Sequence, residues 1–303
     1  MTCFITPDFV IVNLPLPVAV VCHDAGAANH VAAWIKADGI VGDVRPCMQG
    51  PALRIWESHF PGSSLLATPE EVLQGARSLL SGTGWASDLE HRARLLAHQA
   101  GIVSVAVVDH WVNYRGRFVR DGVEQLPDEV WVVDEYALAV ADQTLAGCDV
   151  RIKEDVYSRR LLEDVAPPEQ VQGNRLLYIL EPARSDWGCG EPGEFQALDY
   201  FLEHLPALKL PSDTVLQLRP HPSDPAGKYE RYLSSRGGHR VELDRGGLTE
   251  ALAGARWVAG CESFALVLAM KAGRQVFCSL PPWAPPCRLP HAGIIHLKNL
   301  PAL

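Results

Sequence analysis

The sequence has no surplus of positive charge, no long uninterrupted apolar run near its start and no paired cysteine motif, and each absence removes a class of protein. With 27 Lys and Arg against 36 Asp and Glu, the formal net charge over 303 residues is −9, so the surface as a whole cannot act as a polycation for nucleic acid. Local basic clefts survive this exclusion. The stretch from Phe9 to Cys22 is interrupted by Asn13, Pro15 and Pro17, too soon for a spanning helix of about 20 apolar residues. No basic segment precedes it, so a secretory signal is not expected. Eight cysteines (Cys3, Cys22, Cys47, Cys148, Cys189, Cys261, Cys278 and Cys287) are scattered without CxxC spacing or a zinc-finger Cys/His pattern. They are expected to be reduced thiols, mostly core fillers, in a cytoplasmic protein. What is present is 48% hydrophobic and 21% charged residues, enough to bury a substantial core and too balanced for a disordered chain.

A chain of this length is about twice one typical domain. Short β-branched runs alternate with amphipathic stretches, the pattern of βα units around a parallel sheet. The predicted strands of the first half are Val18–Cys22, Asp43–Cys47, Ser64–Ala67, Arg77–Ser81, Ile102–Val108, Glu129–Val133 and Asp149–Ile152. Helices are predicted at Ala27–Ala37, Trp85–Ala100 and Glu135–Leu145. In the second helix Leu89, Ala93, Leu96 and Ala97 share a face, while Asp88, Glu90, Arg92 and Arg94 are expected to point elsewhere. Lys153 to Gly173, with Pro167–Pro168, reads as an interdomain linker. A second series follows, with strands at Asn174–Leu180, Thr214–Arg219, Val241–Leu243, Arg256–Ala259 and Gln275–Leu280. Its helices are predicted near Glu191–His204, Ala226–Ser235, Leu248–Gly254 and Ser263–Ala272. The expected fold is α/β, two Rossmann-like domains (1–165 and 166–303) facing a cleft, with functional residues at strand ends.

The first strand runs into His23-Asp24-Ala25-Gly26, where small residues allow a ligand close to the backbone. Asp24 suits either a helix N-cap or, like His23, a base that deprotonates an acceptor hydroxyl. The absence of Gly-x-Gly-x-x-Gly here removes support for a dinucleotide site. After the fourth predicted strand, Thr83 and Gly84 form a turn that reads as a ligand loop or, through Thr83 or Ser87, as a helix cap. Asp109, His110, Trp111, Asn113, Tyr114, Arg115 and Arg117 crowd the end of the fifth. Aromatics offer faces for a sugar or base and arginines forked donors for carboxylate or phosphate, although burial of the aromatics would equally anchor the loop. In the second half, Arg219-Pro220-His221-Pro222 presents an imidazole from a proline-fixed corner ahead of a predicted helix. Glu262 and Ser263 begin another helix, where either serves as a cap or the pair helps hold a nucleotide phosphate.

Arg219-Pro220-His221-Pro222 resembles the His-Pro element of bacterial sialyltransferases, Kdo transferases and CDP-glycerol transferases, which have the GT-B fold. The resemblance implies that His221, with Arg219 and Pro222, meets the donor phosphate. Glu262-Ser263, with Gly273-Arg274-Gln275-Val276, is similar to the helix-start element that binds the nucleotide's ribose or phosphate in these families. His23-Asp24 matches the place of an acceptor base. The sialyltransferases usually carry an acidic pair followed by glycine, which leaves Asp109 as a competitor of Asp24, and Glu262 in place of a serine or threonine leaves the donor nucleotide open. No Asp-x-Asp occurs, which fits a metal-free, cofactor-free site using His, Arg and helix dipoles. The implied function is transfer of a sugar from a nucleotide donor to a hydroxyl in surface polysaccharide or glycoconjugate synthesis. The leading donor is a CMP-linked acidic sugar such as a nonulosonate, whose carboxylate Arg115 and Arg117 would meet. A nucleotide-sugar 2-epimerase and a non-catalytic nucleotide- or glycan-binding protein are the alternatives. The expected partners are a nucleotide sugar and a glycan acceptor, without nucleic acid; a peripheral contact at the inner face of a membrane and the oligomeric state stay open.

Overall fold

Five consecutive apolar residues, Val18–Cys22, form β1 and are all buried, as a parallel strand covered on both faces requires. Val18, Val20 and Cys22 pack with Trp34, Trp56 and Trp131, while Ala19 and Val21 pack with Leu79, Ala93 and Ala97. The two-residue period of a strand thus builds one core on each side of the sheet. The computed structural model describes residues 10–183, 185–233 and 240–300, and the chain divides into two units, one ending at Arg160 and the other starting at Leu161.

After β1 the first unit continues with α1 (Ala25–Asp38), β2 (Val44–Met48), α2 (Gly50–His59), α3 (Pro69–Leu73), β3 (Ser78–Ser81), α4 (Leu89–Gln99) and β4 (Val103–Val107). A small hairpin of β5 (Val119–Arg120) and β6 (Val123–Glu124) precedes β7 (Glu129–Val132), α5 (Glu135–Thr144) and β8 (Asp149–Ile152), and α6 (Val156–Leu162) contains the division between the units. Gly39 ends α1 at φ +68, a left-handed conformation that favours glycine. Asp134 caps α5 by accepting the Ala137 N–H at 2.7 Å. The main sheet has the order β2-β1-β3-β4-β7-β8 with every pairing parallel.

The second unit carries β9 (Arg175–Ile179), α7 (Gly193–His204), β10 (Val215–Arg219), β11 (Arg240–Leu243), α8 (Leu248–Ala253), β12 (Trp257–Gly260), α9 (Phe264–Lys271), β13 (Gln275–Cys278) and β14 (Ile294–His296). Its parallel sheet runs β11-β10-β9-β12-β13-β14, the order of a Rossmann-type dinucleotide fold. Tyr178, Phe201, Leu216, Leu218 and Tyr232 lie in its core.

Several expectations are corrected. Ser64–Ala67 is not a strand; Leu66 makes a single backbone bond to Pro46, and Thr68 then caps α3. The stretch from Lys153 to Gly173, expected as a linker, holds the division between the two units but opens on α6, where Asp155 accepts the Ser158 N–H at 3.0 Å and Val156 is fully buried. The helix expected at Ala226–Ser235 is a series of turns with one 3-10 turn at Glu230–Tyr232. Gly227 at φ +83 breaks it, and Ser234–Ser235 lie outside the described residues. Glu90 and Arg94, expected on an outer face, are each only 1% exposed. Seven described cysteines are free, four of them buried; Cys3 lies outside the described residues. Among the described residues no helix is long and apolar enough to cross a membrane.

Candidate functional site

In each sheet the chain leaves its first strand to build one side and returns to build the other, between β1 and β3 in the first unit and between β9 and β12 in the second. Ligands of open α/β sheets bind beyond the carboxyl ends of the strands at such points. In the first unit that place holds Asp24, which stands at the N-cap position of α1 with no side-chain capping hydrogen bond. Its Oδ1 is buried without a partner, although the residue as a whole reaches solvent. Burial, followed by the charges of Asp109 and Glu90, pushes the Asp24 carboxyl from its ordinary 3.8 up to about 7, against the pulls of Arg117 and the Ala27 N–H. A carboxyl of that acidity exchanges a proton near neutrality, which is what a general base or acid requires.

Neighbouring elements bring further acid–base groups to the same strand ends. The His23 N–H donates to Glu90 Oε1 at 2.8 Å, and both His23 Nδ1 and Glu90 Oε2 are buried without hydrogen-bond partners. Burial raises the Glu90 pKa as well. Asp109 Oδ1 accepts from Arg117 at 3.1 Å. Glycines make the room: a Cβ on Gly26 would lie 1.6 Å from Asp109 Oδ2, on Gly84 2.7 Å from Asp24 Oδ2, and on Gly82 2.6 Å from Glu90 Oε1. Asp24, His23 and Asp109, named as rival bases, are thus brought to one strand-end region, together with Gly26 and Gly84.

The aromatic and basic residues around Asp109 behave differently from expectation. Trp111 and Tyr114 are 3% and 2% exposed; the Trp111 indole donates to Asp134 at 3.0 Å, so neither ring offers an open face to a sugar. The nearby exposed aromatic is Trp85, with the Arg117 guanidinium 5.2 Å from its ring centroid. Arg117 is buried and divided between Asp109 and the Thr83 oxygens, and Arg115 pairs with Glu124 at 2.7 Å. Arg117 is thus committed to internal partners, whereas Arg115, with its side chain 70% exposed, holds only a surface pair with Glu124. Thr83 is fully buried and donates to the Val107 carbonyl at 2.9 Å, which explains its presence without a ligand, and Ser87 Oγ accepts the Leu89 N–H at 3.2 Å. His110 Nδ1 accepts the Trp111 N–H at 3.0 Å. Asn113 is exposed and left-handed at φ +57, as a turn residue.

In the second unit the switch point is already filled by the chain itself. Glu181, just beyond β9, accepts the N–H groups of Cys261, Glu262 and Ser263 on Oε1, each at 3.0 Å, and Glu262 also on Oε2 at 3.1 Å. These N–H groups lie directly ahead of α9, where a nucleotide phosphate is expected from the sequence. Burial pushes the Glu181 carboxyl up to about 7 despite those bonds. Ser263 occupies the N-cap position of α9 without a capping bond, and its Oγ is buried and unpartnered. Glu262 pairs with Arg288. Beyond β10, His221 is exposed, with Nδ1 2.7 Å from Ser223 Oγ and its N–H on Asp224 at 2.9 Å. Arg219 pairs with Asp244 and donates to the Gly246 carbonyl at 2.8 Å. Pro222 leads into turns and not into a helix, so the expectation of two adjacent helix N-termini is reduced to one, that of α9. Sequence reasoning missed Glu90, Trp85 and Glu181, although a glutamate directly after a buried strand and before a proline, as in Leu180-Glu181-Pro182, is a legible signal.

No family model matches the sequence, and no curated protein matches it. Solved structures do match in fold. A UDP-GlcNAc 2-epimerase from Methanocaldococcus jannaschii aligns at TM-score 0.58 and 9% identity, over 86% of this chain and 83% of that one. S. aureus MnaA with UDP aligns at 0.55 and 12%, over 86% and 78%. Acinetobacter baumannii MurG aligns at 0.54 and 9%, over 87% and 78%. At such identities the likeness is one of fold: two Rossmann-like α/β domains of the GT-B-like kind, each with a six-stranded parallel sheet.

Proposed function

We propose that this chain is a GT-B-type enzyme that moves a glycosyl group from a nucleotide-linked donor to an acceptor hydroxyl in polysaccharide or glycoconjugate synthesis, with Asp24 as the base. The observation that carries the reading is the Asp24 carboxyl, raised to about 7 and holding a buried oxygen without a partner beside Asp109 and Glu90. Ionised Asp24 takes the hydroxyl proton, the acceptor oxygen attacks the anomeric carbon, and the nucleotide phosphate leaves with the bonding pair. Asp109, held by Arg117, raises the proton affinity of Asp24. His221 and the start of α9 serve the leaving phosphate without a divalent cation, and the phosphate exchanges with the Glu181 carboxylate for the N–H groups of residues 261–263. The His221 element is what argues for the sialyl, Kdo and CDP-glycerol transferase group within this class. A CMP-linked acidic sugar draws no support from Arg115 or Arg117, and a region lined by Asp24, Glu90 and Asp109 suits a neutral sugar better.

The test is a thermal-shift screen against UDP, UMP, CMP, CDP, GDP and ADP with and without magnesium, since a ligand that binds only the folded state raises its stability. Turnover of the matching nucleotide sugar follows, in the wild type and in Asp24→Asn. A selective shift, with acceptor-dependent turnover lost in the variant, supports the proposal; no shift with any nucleotide overturns it. Epimerisation of the donor alone is the second reading. It is favoured by the number of acid–base groups at one strand end, since moving a proton off and back onto a sugar carbon uses both an acid and a base, and by the name of the Methanocaldococcus fold relative. An altered nucleotide sugar formed without acceptor would select it, and binding without any turnover would select a non-catalytic role.

A further inference from the structure

Beside the second switch point, next to the Cys261 carbonyl, three side chains from separate stretches of the second unit converge at the end of β13. Cys278 closes that strand, and His296 is its register partner on the neighbouring parallel strand β14. Cys287 comes from the fifteen-residue connection between them, residues 279–293, which has no regular secondary structure. A thiol sulfur of each cysteine and a ring nitrogen of His296 all lie within 4.8 Å of one another. Cys278 is buried and the other two are partly so.

The connection is too long for a simple turn and carries Pro281, Pro282, Pro285, Pro286 and Pro290. It is tied down at intervals. The Trp283 indole donates to Gln196 Oε1 at 2.7 Å, the Arg288 backbone N–H donates to Glu262 at 3.0 Å, and Leu289 and His291 are buried. Cys287 brings it back to the end of the sheet, where the Cys261 carbonyl oxygen lies 3.2 Å from Cys278 Sγ and 3.9 Å from Cys287 Sγ.

We propose that Cys278, Cys287 and His296 form a site for a borderline-soft divalent cation, zinc by preference, that clips the proline-rich 279–293 connection to the edge of the sheet. Two thiolates and one imidazole are the donor set that zinc favours over calcium or magnesium. Bonds of about 2.3 Å to sulfur and 2.0 Å to nitrogen bring ligand atoms within about 4 Å of each other, so the present arrangement needs a contraction of about an ångström or less. Binding releases two thiol protons to solvent and changes no oxidation state. The resulting site, a dication with two thiolates, is neutral, so its partial burial carries no net charge. The fourth position falls to an oxygen, either water or the adjacent Cys261 carbonyl. The cation's role is to hold the chain between β13 and β14, which also carries Arg288 to Glu262 beside α9.

The experiment is a cobalt(II) titration of the full chain, reduced and stripped with a chelator, followed by competition with zinc. The expected result is a thiolate-to-cobalt charge-transfer band and tetrahedral visible bands saturating at one metal per chain and bleached by zinc. Cys287→Ser, which alters a partly exposed side chain, removes the charge-transfer intensity of its thiolate and weakens binding by more than about 100-fold. His296→Gln weakens it as well, while Cys189→Ser, at an exposed cysteine elsewhere, leaves the spectrum unchanged. Circular dichroism on each variant separates lost ligation from lost folding. Absence of the band in the wild type, its persistence in Cys287→Ser, or a purified Cys278–Cys287 disulfide that takes up no cobalt after reduction would each overturn the proposal.

Discussion

Each sheet sets a carboxyl at the point where its chain reverses direction of build, and burial raises both to about 7. The rest of the physics differs. Asp24 is raised further by two neighbouring acids and keeps an oxygen with no hydrogen-bond partner. Glu181 is held by three backbone N–H groups that pull its acidity the other way, with Glu262 the acid that opposes them. Equal acidity therefore does not mean equal function. A carboxyl with an unused lone pair can receive a substrate's proton, whereas one whose oxygens already accept N–H groups competes with an incoming anion for the same donors.

The sharpest way to break this contrast is Asp24→Asn. Loss of a general base is expected to lower turnover by about 10²- to 10⁴-fold, and full activity in the variant would move the role to Asp109 or His23. In the wild type, kcat/KM is expected to rise with pH and level off above about 7, where Asp24 is ionised. Stability runs the opposite way. Because the folded-state value lies above the ordinary 3.8, the folded chain keeps a proton that the unfolded chain has lost, so this group's contribution falls as pH rises from about 4 through 7. Asp24→Asn should therefore melt higher than wild type at pH 8 and converge with it below about pH 4; a variant that melts lower at pH 8 would contradict this sign.

Gly26→Ala comes next. The new Cβ would overlap Asp109 Oδ2, and displacing that carboxylate is expected to cost about 1–3 kcal/mol in a denaturant melt and about 10- to 100-fold in turnover. An unaffected variant would show that the position of Asp109 does not matter. At the other switch point, Glu181→Gln keeps an acceptor for the N–H groups but removes the charge, so calorimetry with the nucleotide chosen by the screen should show about fivefold tighter binding. Wild-type affinity should gain on the variant as pH falls through 7, since protonated Glu181 releases its donors. Weaker binding in the variant would make Glu181 a ligand contact and not a competitor. The smallest effect belongs to Arg115→Ala, which removes an exposed pair with Glu124: a stability change under about 1 kcal/mol and unchanged turnover, where a large loss of turnover would restore Arg115 to the site.

Much of the fold was legible because burial writes itself into local pattern. The unbroken apolar run of β1 announced a central parallel strand, and Glu135–Leu145 announced α5 to within a residue. Ser64–Ala67 failed because three apolar residues cannot say whether a neighbouring strand has a free edge for them. The strand β14 was invisible because three residues become a strand only when β13 accepts them as a partner. Glu90 and Arg94 were misplaced because charge was read as exposure; with Ala93 and Ala97 they form an i, i+3, i+4, i+7 stripe, and Arg94 is occupied inside by Ser81 and the Gly82 carbonyl. Trp111 and Tyr114 took the second of the two readings their density allowed, a loop that anchors itself by burying its aromatics.

By itself the sequence determined the alternation of strands and helices, the glycines that let acids approach the backbone, and the neighbourhood of Asp24 and His221, because these depend on residue type and spacing along a few turns of chain. The tertiary structure decided which polar groups are satisfied. It gave Arg117 to Asp109 and the N–H groups of residues 261–263 to Glu181, left Asp24 with an unpaired oxygen, and drew Cys278, Cys287 and His296 together. Hydrogen-bond partnership and desolvation are set by groups tens of residues apart, and no local pattern records them.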